Sequence, residues 1–270
     1  MVTLNGVLTM QYGVYSSAVI IHITGLLFIF VLILYKRERV FLKRQAWFLY
    51  LGGAIGVFIT VFINMAFGRI SVSAILALGL LGQSAAGLFF DHFGFFDLPK
   101  RLFSRIKLLG IFLILCGIAS MIDKLEIVAV ILSFAAGVLA VLARTLNAKL
   151  ACVTSVRIST FFNYFIGLAV TVPVFLIFGR SEPVFTEFVL SSKFYMYLGG
   201  IAGVCIVLIS NMVVVKISAF YLVLLLFIGQ VFSGILIDAV ISHAFSLRIL
   251  IGGILVTAGL CVNLLIDRKS

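Results

Sequence analysis

From Val14 to Tyr35 the chain runs through twenty-two positions without one Asp, Glu, Lys or Arg, and similar stretches recur to its end. A helix of about 20 apolar residues crosses the hydrocarbon core of a bilayer, where backbone polar groups must be satisfied within the segment. Nine spans follow: Val14–Tyr35, Ala46–Met65, Val72–Phe90, Leu108–Ile122, Ile127–Ala143, Ile158–Phe178, Phe194–Val214, Ala219–Ile237 and Ser246–Ile266. Charges gather between them. At 64% hydrophobic and 11% charged residues, against about half and a quarter in soluble domains, a soluble fold is excluded and an all-α integral membrane protein is expected, with the lipid bilayer as its solvent.

The positions of the bases orient the spans, because short loops rich in Lys and Arg stay in the cytoplasm. Fifteen of the twenty bases fall on one side, among them Lys36, Arg37, Arg39, Lys43, Arg44, Arg144, Lys149 and Arg157; Arg69, Lys124, Arg180, Lys193 and Arg248 fall on the other. This places the N-terminus outside and the C-terminus inside. The net charge of +11 is thereby explained by loop retention, and no nucleic-acid partner is expected. Cys116, Cys152, Cys205 and Cys261 form no metal-ligating cluster and read as small buried hydrophobes. The opening MVTLNGVLTMQYG carries no signal-peptide pattern.

The chain also repeats itself. Tyr50–Asp91 aligns without a gap onto Tyr197–Asp238 at an offset of 147, with sixteen identities in forty-two positions. The matches fall on informative residues: Gly52, Gly53, Gly56, Asn64, Ser71, Gly82, Gln83, Gly87 and Asp91 recur as Gly199, Gly200, Gly203, Asn211, Ser218, Gly229, Gln230, Gly234 and Asp238. Leu4-Asn5 and Gly25-Leu26 reappear as Leu146-Asn147 and Gly167-Leu168 at an offset of 142, the difference being absorbed in the loop Gly179–Lys193. A first repeat over 1–123 and a second over 124–270 are therefore expected. The basic loop Lys36–Arg44 is read as inside and its counterpart Gly179–Lys193, balanced in charge, as outside. The repeats are then inverted, as in transporters built on two opposed halves. The first repeat is read as lacking the helix that opens the second, so nine spans are expected where a full duplication would have ten.

LGGxxG, the Asn-Met pair, then GQxxxG and Asp in each half resemble the YdcZ-like five-helix branch of the drug/metabolite transporter superfamily, here as two fused units. The resemblance implies an inner-membrane carrier with inverted halves, often an exporter, and leaves its solute open.

Gln83, Gly87 and Asp91 are spaced by four and share one helix stripe, which Gln230, Gly234 and Asp238 repeat. Each Gln falls near mid-span, where an amide facing lipid is costly; it contacts the solute or bonds a neighbouring helix. Asn64 and Asn211 are further substrate-binding candidates, with capping or packing as the blander reading. Asp91 and Asp238, at helix ends, and His22, inside the first span and matched by Tyr164, are candidates for gating or proton coupling. Gly52, Gly56, Gly87, Gly199, Gly203 and Gly234 read as helix-packing positions, Ser71 and Ser218 as N-caps, and Trp47, Tyr50, Tyr195 and Tyr197 as interface anchors.

No phosphate loop, zinc motif or nucleophile elbow occurs, so neither cofactor nor metal is expected, and no Asp or Glu lies near the centre of a span. The leading reading is a secondary transporter of a small solute by alternating access. A channel or structural subunit is the alternative, and an intramembrane enzyme a weaker one. A homodimer is compatible with the sequence but not implied by it.

Overall fold

The computed structural model describes residues 1–38, 45–93, 107–121, 126–183, 191–214, 226, 229, 232–233 and 247–267. Apart from a single bridge between Phe67 and Ile70, regular structure among these residues is helical. The helices are α1 (Val2–Tyr12), α2 (Val14–Tyr35), α3 (Leu51–Ala66), α4 (Val72–Phe93), α5 (Lys107–Met121), α6 (Ile127–Val153), α7 (Val156–Phe178), α8 (Gly199–Val214) and α9 (Leu247–Asp267). A 3-10 turn leads into α3 (Trp47–Tyr50) and another into α8 (Phe194–Leu198), so even this irregularity is repeated at the offset of 147.

Five of these segments are long and apolar enough to cross a membrane: Val14–Tyr35, Trp47–Ala66, Ile127–Val153, Val156–Phe178 and Phe194–Val213. The first shows why. Along α2, Ala18, Ile21, His22, Gly25, Ile29 and Ile33 are buried, while Ile23, Leu27, Phe30, Val31 and Leu34 stand exposed on the other side. A helix that is apolar on both faces buries one in protein and offers the other to lipid. The span expected at Ala219–Ile237 lies almost wholly outside the described residues.

The stretch before Val14, where no span is expected, forms the short helix α1. One sequence expectation is corrected: the span expected to end at Ala143 continues to Val153, so Arg144 and Lys149 stand on a helix rather than in a loop. The sequence there, ARTLNAKLA, is rich in good helix formers. Leu146, Asn147, Ala148 and Leu150 are also buried, which ties this extension into the packing.

The chain divides into two compact units, Met1–Met65 with Leu142–Lys216, and Ala66–Val141 with Ile217–Ser270. Each unit therefore takes a part of each repeat. In the first, α2 packs on α7 and α8. In the second, α5 packs on α9 and α4; α4 begins at its N-cap Ser71, whose Oγ accepts from Ala74 N at 3.2 Å. Side chains at Gly82 and Gly137 would strike the backbones of Phe134 and Gly79, so α4 and α6 touch there main chain to main chain.

Candidate functional site

Within the first unit, α2 and α7 are counterparts in the two repeats, and their contacts run in opposite directions along the chain. Tyr15 stacks on Phe178, with ring centroids 5.9 Å apart. Phe30 meets Phe161 at 6.5 Å, and Arg157 Nε bonds Glu38 Oε2 at 2.5 Å. As numbers rise on α2 they fall on α7, so the helices are antiparallel. The second unit repeats the arrangement with the last helix of each repeat: a side chain at Gly117 would meet Gly252 and Val256, and one at Gly259 would meet Gly110. Hence α5 and α9 are antiparallel too.

The contacts are also reciprocal. A side chain at Gly25 would collide with the Tyr164 ring, and one at its counterpart Gly167 with the His22 ring. Gly52 lies against Asn147 Oδ1 and Gly199 against Asn5 Oδ1. Gly53 abuts the backbone of Asn163, and Gly200 the carbonyl of Ile21. Every pair maps onto the next when the repeats are exchanged, the mark of a two-fold relation. Residues nearest such an axis meet their own counterparts: His22 and Tyr164 are that pair, with ring centroids 5.8 Å apart.

His22 is 4% exposed. Its Nδ1 lies 2.7 Å from Ala18 O; a carbonyl only accepts, so Nδ1 carries a proton, and Nε2 lies on the side of Gly167. Thr171 Oγ1 stands 3.5 Å from the same Nδ1 and donates to Gly167 O at 2.7 Å. Tyr164 donates to Gly200 O at 3.4 Å, which brings the glycine motif of α8 to the same level.

Asn64 is 2% exposed. Its Nδ2 donates to Ser17 Oγ at 3.0 Å and Val14 O at 3.3 Å, and its Oδ1 has no partner among the described residues. Ser17 Oγ in turn lies 3.0 Å from Thr9 Oγ1, which reaches Asn5 O at 2.8 Å. A polar relay thus joins α1, α2 and α3. Asn211, at 1% exposed, has an Nδ2 with no partner among the described residues. In the second repeat Ser159 Oγ donates directly to Asn147 O at 2.6 Å, and Asn147 Nδ2 donates to Asn163 Oδ1 at 2.8 Å.

Of the remaining candidates, Gln83 is half-buried near the middle of α4. Gly87 on the same helix would carry a Cβ with no described atom within 4 Å. Asp91 lies in the last turns of α4, its side chain outside what is described; Gln230, Gly234, Asp238 and Ser218 lie outside the described residues altogether. Tyr197 is bound to Tyr12 through their hydroxyls, and both hydroxyls accept from Ser191 N at 3.1 and 3.2 Å, a contact the reading as a simple interface anchor missed. Sequence reasoning also passed over Glu182 and Glu38. Glu182 Oε1 accepts from Tyr15 N at 2.9 Å, and its Oε2 from Ser16 N and Ser16 Oγ at 2.7 and 2.6 Å. Burial raises the Glu38 carboxyl, but the Ser155 hydroxyl and Arg157 outweigh it and hold the group below its ordinary value. The signal was present: each is a Glu three or four residues after its apolar run, in matching loops of the two repeats.

Among the described residues no three His, Cys, Asp or Glu groups converge to hold a metal ion. What the first unit gathers at these positions is a set of amides, hydroxyls and one imidazole, within helices that also carry large exposed apolar side chains.

Comparison with known proteins agrees with this picture. A family model described as "Putative inner membrane exporter, YdcZ" matches twice, over residues 1–120 and 128–262. No curated protein matches the sequence. One solved structure, described only as a crystal structure of a protein, aligns over 99% of this chain and 95% of its own with a TM-score of 0.64 and 17% identity, a likeness of fold. Two matches to one family along a helical chain with several long apolar spans make this a multi-pass inner-membrane protein, and the chain belongs to the YdcZ family of exporters within the drug/metabolite transporters, with two units in one polypeptide.

Proposed function

We propose that the chain is a secondary carrier that moves a small solute by alternating access. The observation that carries this reading is the antiparallel, reciprocal packing of repeat counterparts, α2 on α7 in the first unit and α5 on α9 in the second. Opposed halves of nearly equal structure give a protein two arrangements of nearly equal energy, related by exchanging the roles of the halves, and this is the physical basis of access from alternate sides. The inverted insertion of the repeats, 1–123 and 124–270, belongs to the same proposal.

Gln83 and Gln230 are the proposed solute contacts, with Asn64 and Asn211 as further amides. All four can donate and accept, which suits a neutral or amphiphilic solute. His22, with its tautomer set by Ala18, and the helix-end Asp91 and Asp238 are proposed for gating or proton coupling. A carrier, not an enzyme, fits the family and the pairing of polar positions across the repeats.

Counterflow in proteoliposomes tests the class, since a carrier accelerates exchange of labelled solute against unlabelled and a channel does not. Gln83→Ala or Gln230→Ala should slow transport about tenfold, the factor for roughly one hydrogen bond to the solute, while the protein stays folded. Unaltered transport in both variants would remove the glutamines from the site.

A further inference from the structure

Antiparallel packing sets the C-terminus of α2 beside the N-terminus of α7, and the reverse at the other end. Each C-terminus runs on into a Glu, Glu38 after Tyr35 and Glu182 after Phe178. Each Glu is bound at the first turn of the opposite helix. Glu182 accepts from the backbone N–H groups of Tyr15 and Ser16 and from the Ser16 hydroxyl. Such first-turn donors have no partner within their own helix, and the positive end of the helix dipole favours a carboxylate there. Glu38 takes Arg157, the second residue of α7.

Both carboxylates also close a break in the chain. Between α1 and α2 stands Gly13, with φ at +96°, and a side chain on it would strike the Glu182 carboxyl group. The equivalent break, between α6 and α7, ends at Ser155, whose hydroxyl bonds the Glu38 carboxylate and whose Oγ accepts from Ile158 N at 3.1 Å. The middle of the pair differs in kind. There Gly25 and Gly167 receive the Tyr164 and His22 rings in contacts that water cannot replace, whereas the bonds of a carboxylate at a helix end are ones that water can take over.

We propose that Glu38 and Glu182 are two exchangeable latches on opposite ends of the α2/α7 pair, and that release of one opens its own end about the interlocked centre while the other stays closed. The purpose of the opening rests on the carrier reading; the latches are tested without any solute.

Take the full chain with Cys116, Cys152, Cys205 and Cys261 replaced by Ser, reconstituted in lipid nanodiscs, and add either Ala18→Cys or Thr160→Cys as reporter. These positions are repeat counterparts on α2 and α7, and both are fully buried. The reaction rate with a water-soluble maleimide reads how often each end opens. Glu182→Gln should speed labelling at position 18 about tenfold, the factor for roughly one charge-assisted hydrogen bond lost from the closed state, and leave position 160 unchanged. Glu38→Gln should do the reverse. Unchanged rates at both positions, or equal acceleration at both, would overturn the proposal. Should a Gln variant fail to fold, Glu182→Asp and Glu38→Asp keep the charge with a shorter reach and must show the same selectivity for one end. A negative result leaves the carrier reading standing, because counterflow judges that separately.

Discussion

The two repeats meet in the first unit with the same frame and different polar fittings. The glycines that admit the opposite repeat, Gly25, Gly52 and Gly53 in one and Gly167, Gly199 and Gly200 in the other, occupy matched positions and meet matched atoms. Around them the chemistry has diverged. Asn147 has Asn163 as partner, while the counterpart of Asn163 in the other repeat is Ile21, and Asn5 Oδ1 has no partner among the described residues. His22 stands where the other repeat has Tyr164. One latch holds backbone N–H groups and the other a guanidinium. Close packing demands the same shape from both copies, because a methyl too many displaces a whole helix. A hydrogen bond needs only some partner, so the polar groups are where the halves differ and where direction and selectivity can be built.

Substitutions at the frame should therefore be the costliest and the most symmetric. Gly53→Ala and Gly200→Ala each push a methyl into backbone that cannot swing aside, and each should lower stability by about 1–3 kcal/mol, the usual cost of overpacking, read as a falling unfolding midpoint in detergent. Gly56→Ala, whose nearest described atom is Asn163 Oδ1 at 3.8 Å, should cost far less. A mild Gly53→Ala beside a severe Gly200→Ala would break the equivalence of the two frames.

At the fittings the prediction is asymmetry. Asn147→Ala removes the donor to the half-buried Asn163 Oδ1 and should cost about 1 kcal/mol. Asn5→Ala removes an oxygen that has no partner among the described residues and should cost visibly less; equal losses would mean that the two positions are fitted alike. Coupling can also be read directly. His22→Ala should offset part of the damage of Gly167→Ala, since the ring it would strike is gone, with an interaction energy of about 0.5–3 kcal/mol in a double-mutant cycle.

The smallest effect belongs to Glu38. Its carboxyl is held below the usual 4.5, so its contribution is fully present above the unfolded value and fades as pH falls through the lower folded one. The wild-type unfolding midpoint should therefore drop below about pH 4.5, and Glu38→Gln should flatten that part of the profile. An identical acid slope in the variant would deny Glu38 this role.

Much of this frame was legible in the sequence. The apolar runs marked the helices because a bilayer tolerates little else, and the paired glycines and asparagines marked the repeat because apolar composition alone would not repeat them. Beyond reach were features set by long-range pairing. The extension of α6 past Arg144 depends on burial of Leu146 and Leu150, which composition does not reveal. Glu182 and Glu38 acquire meaning only once α2 and α7 are known to be antiparallel, and a gap placed in the loop could have aligned the two. That His22 and Tyr164 would touch follows from a two-fold axis through them, and sequence fixes the existence of such an axis more readily than its position.

The central claim is that the two repeats enter the membrane in opposite senses, and it can be tested at the ends of α2 and α7. Lys36 and Ser181 are exposed, each just beyond the C-terminus of its helix. In the Cys-free background, Ser181→Cys should react with a membrane-impermeant maleimide added outside intact spheroplasts, and Lys36→Cys only after permeabilisation. Labelling of both from the same side would contradict inverted insertion and, with it, the account of the chain as an alternating-access carrier.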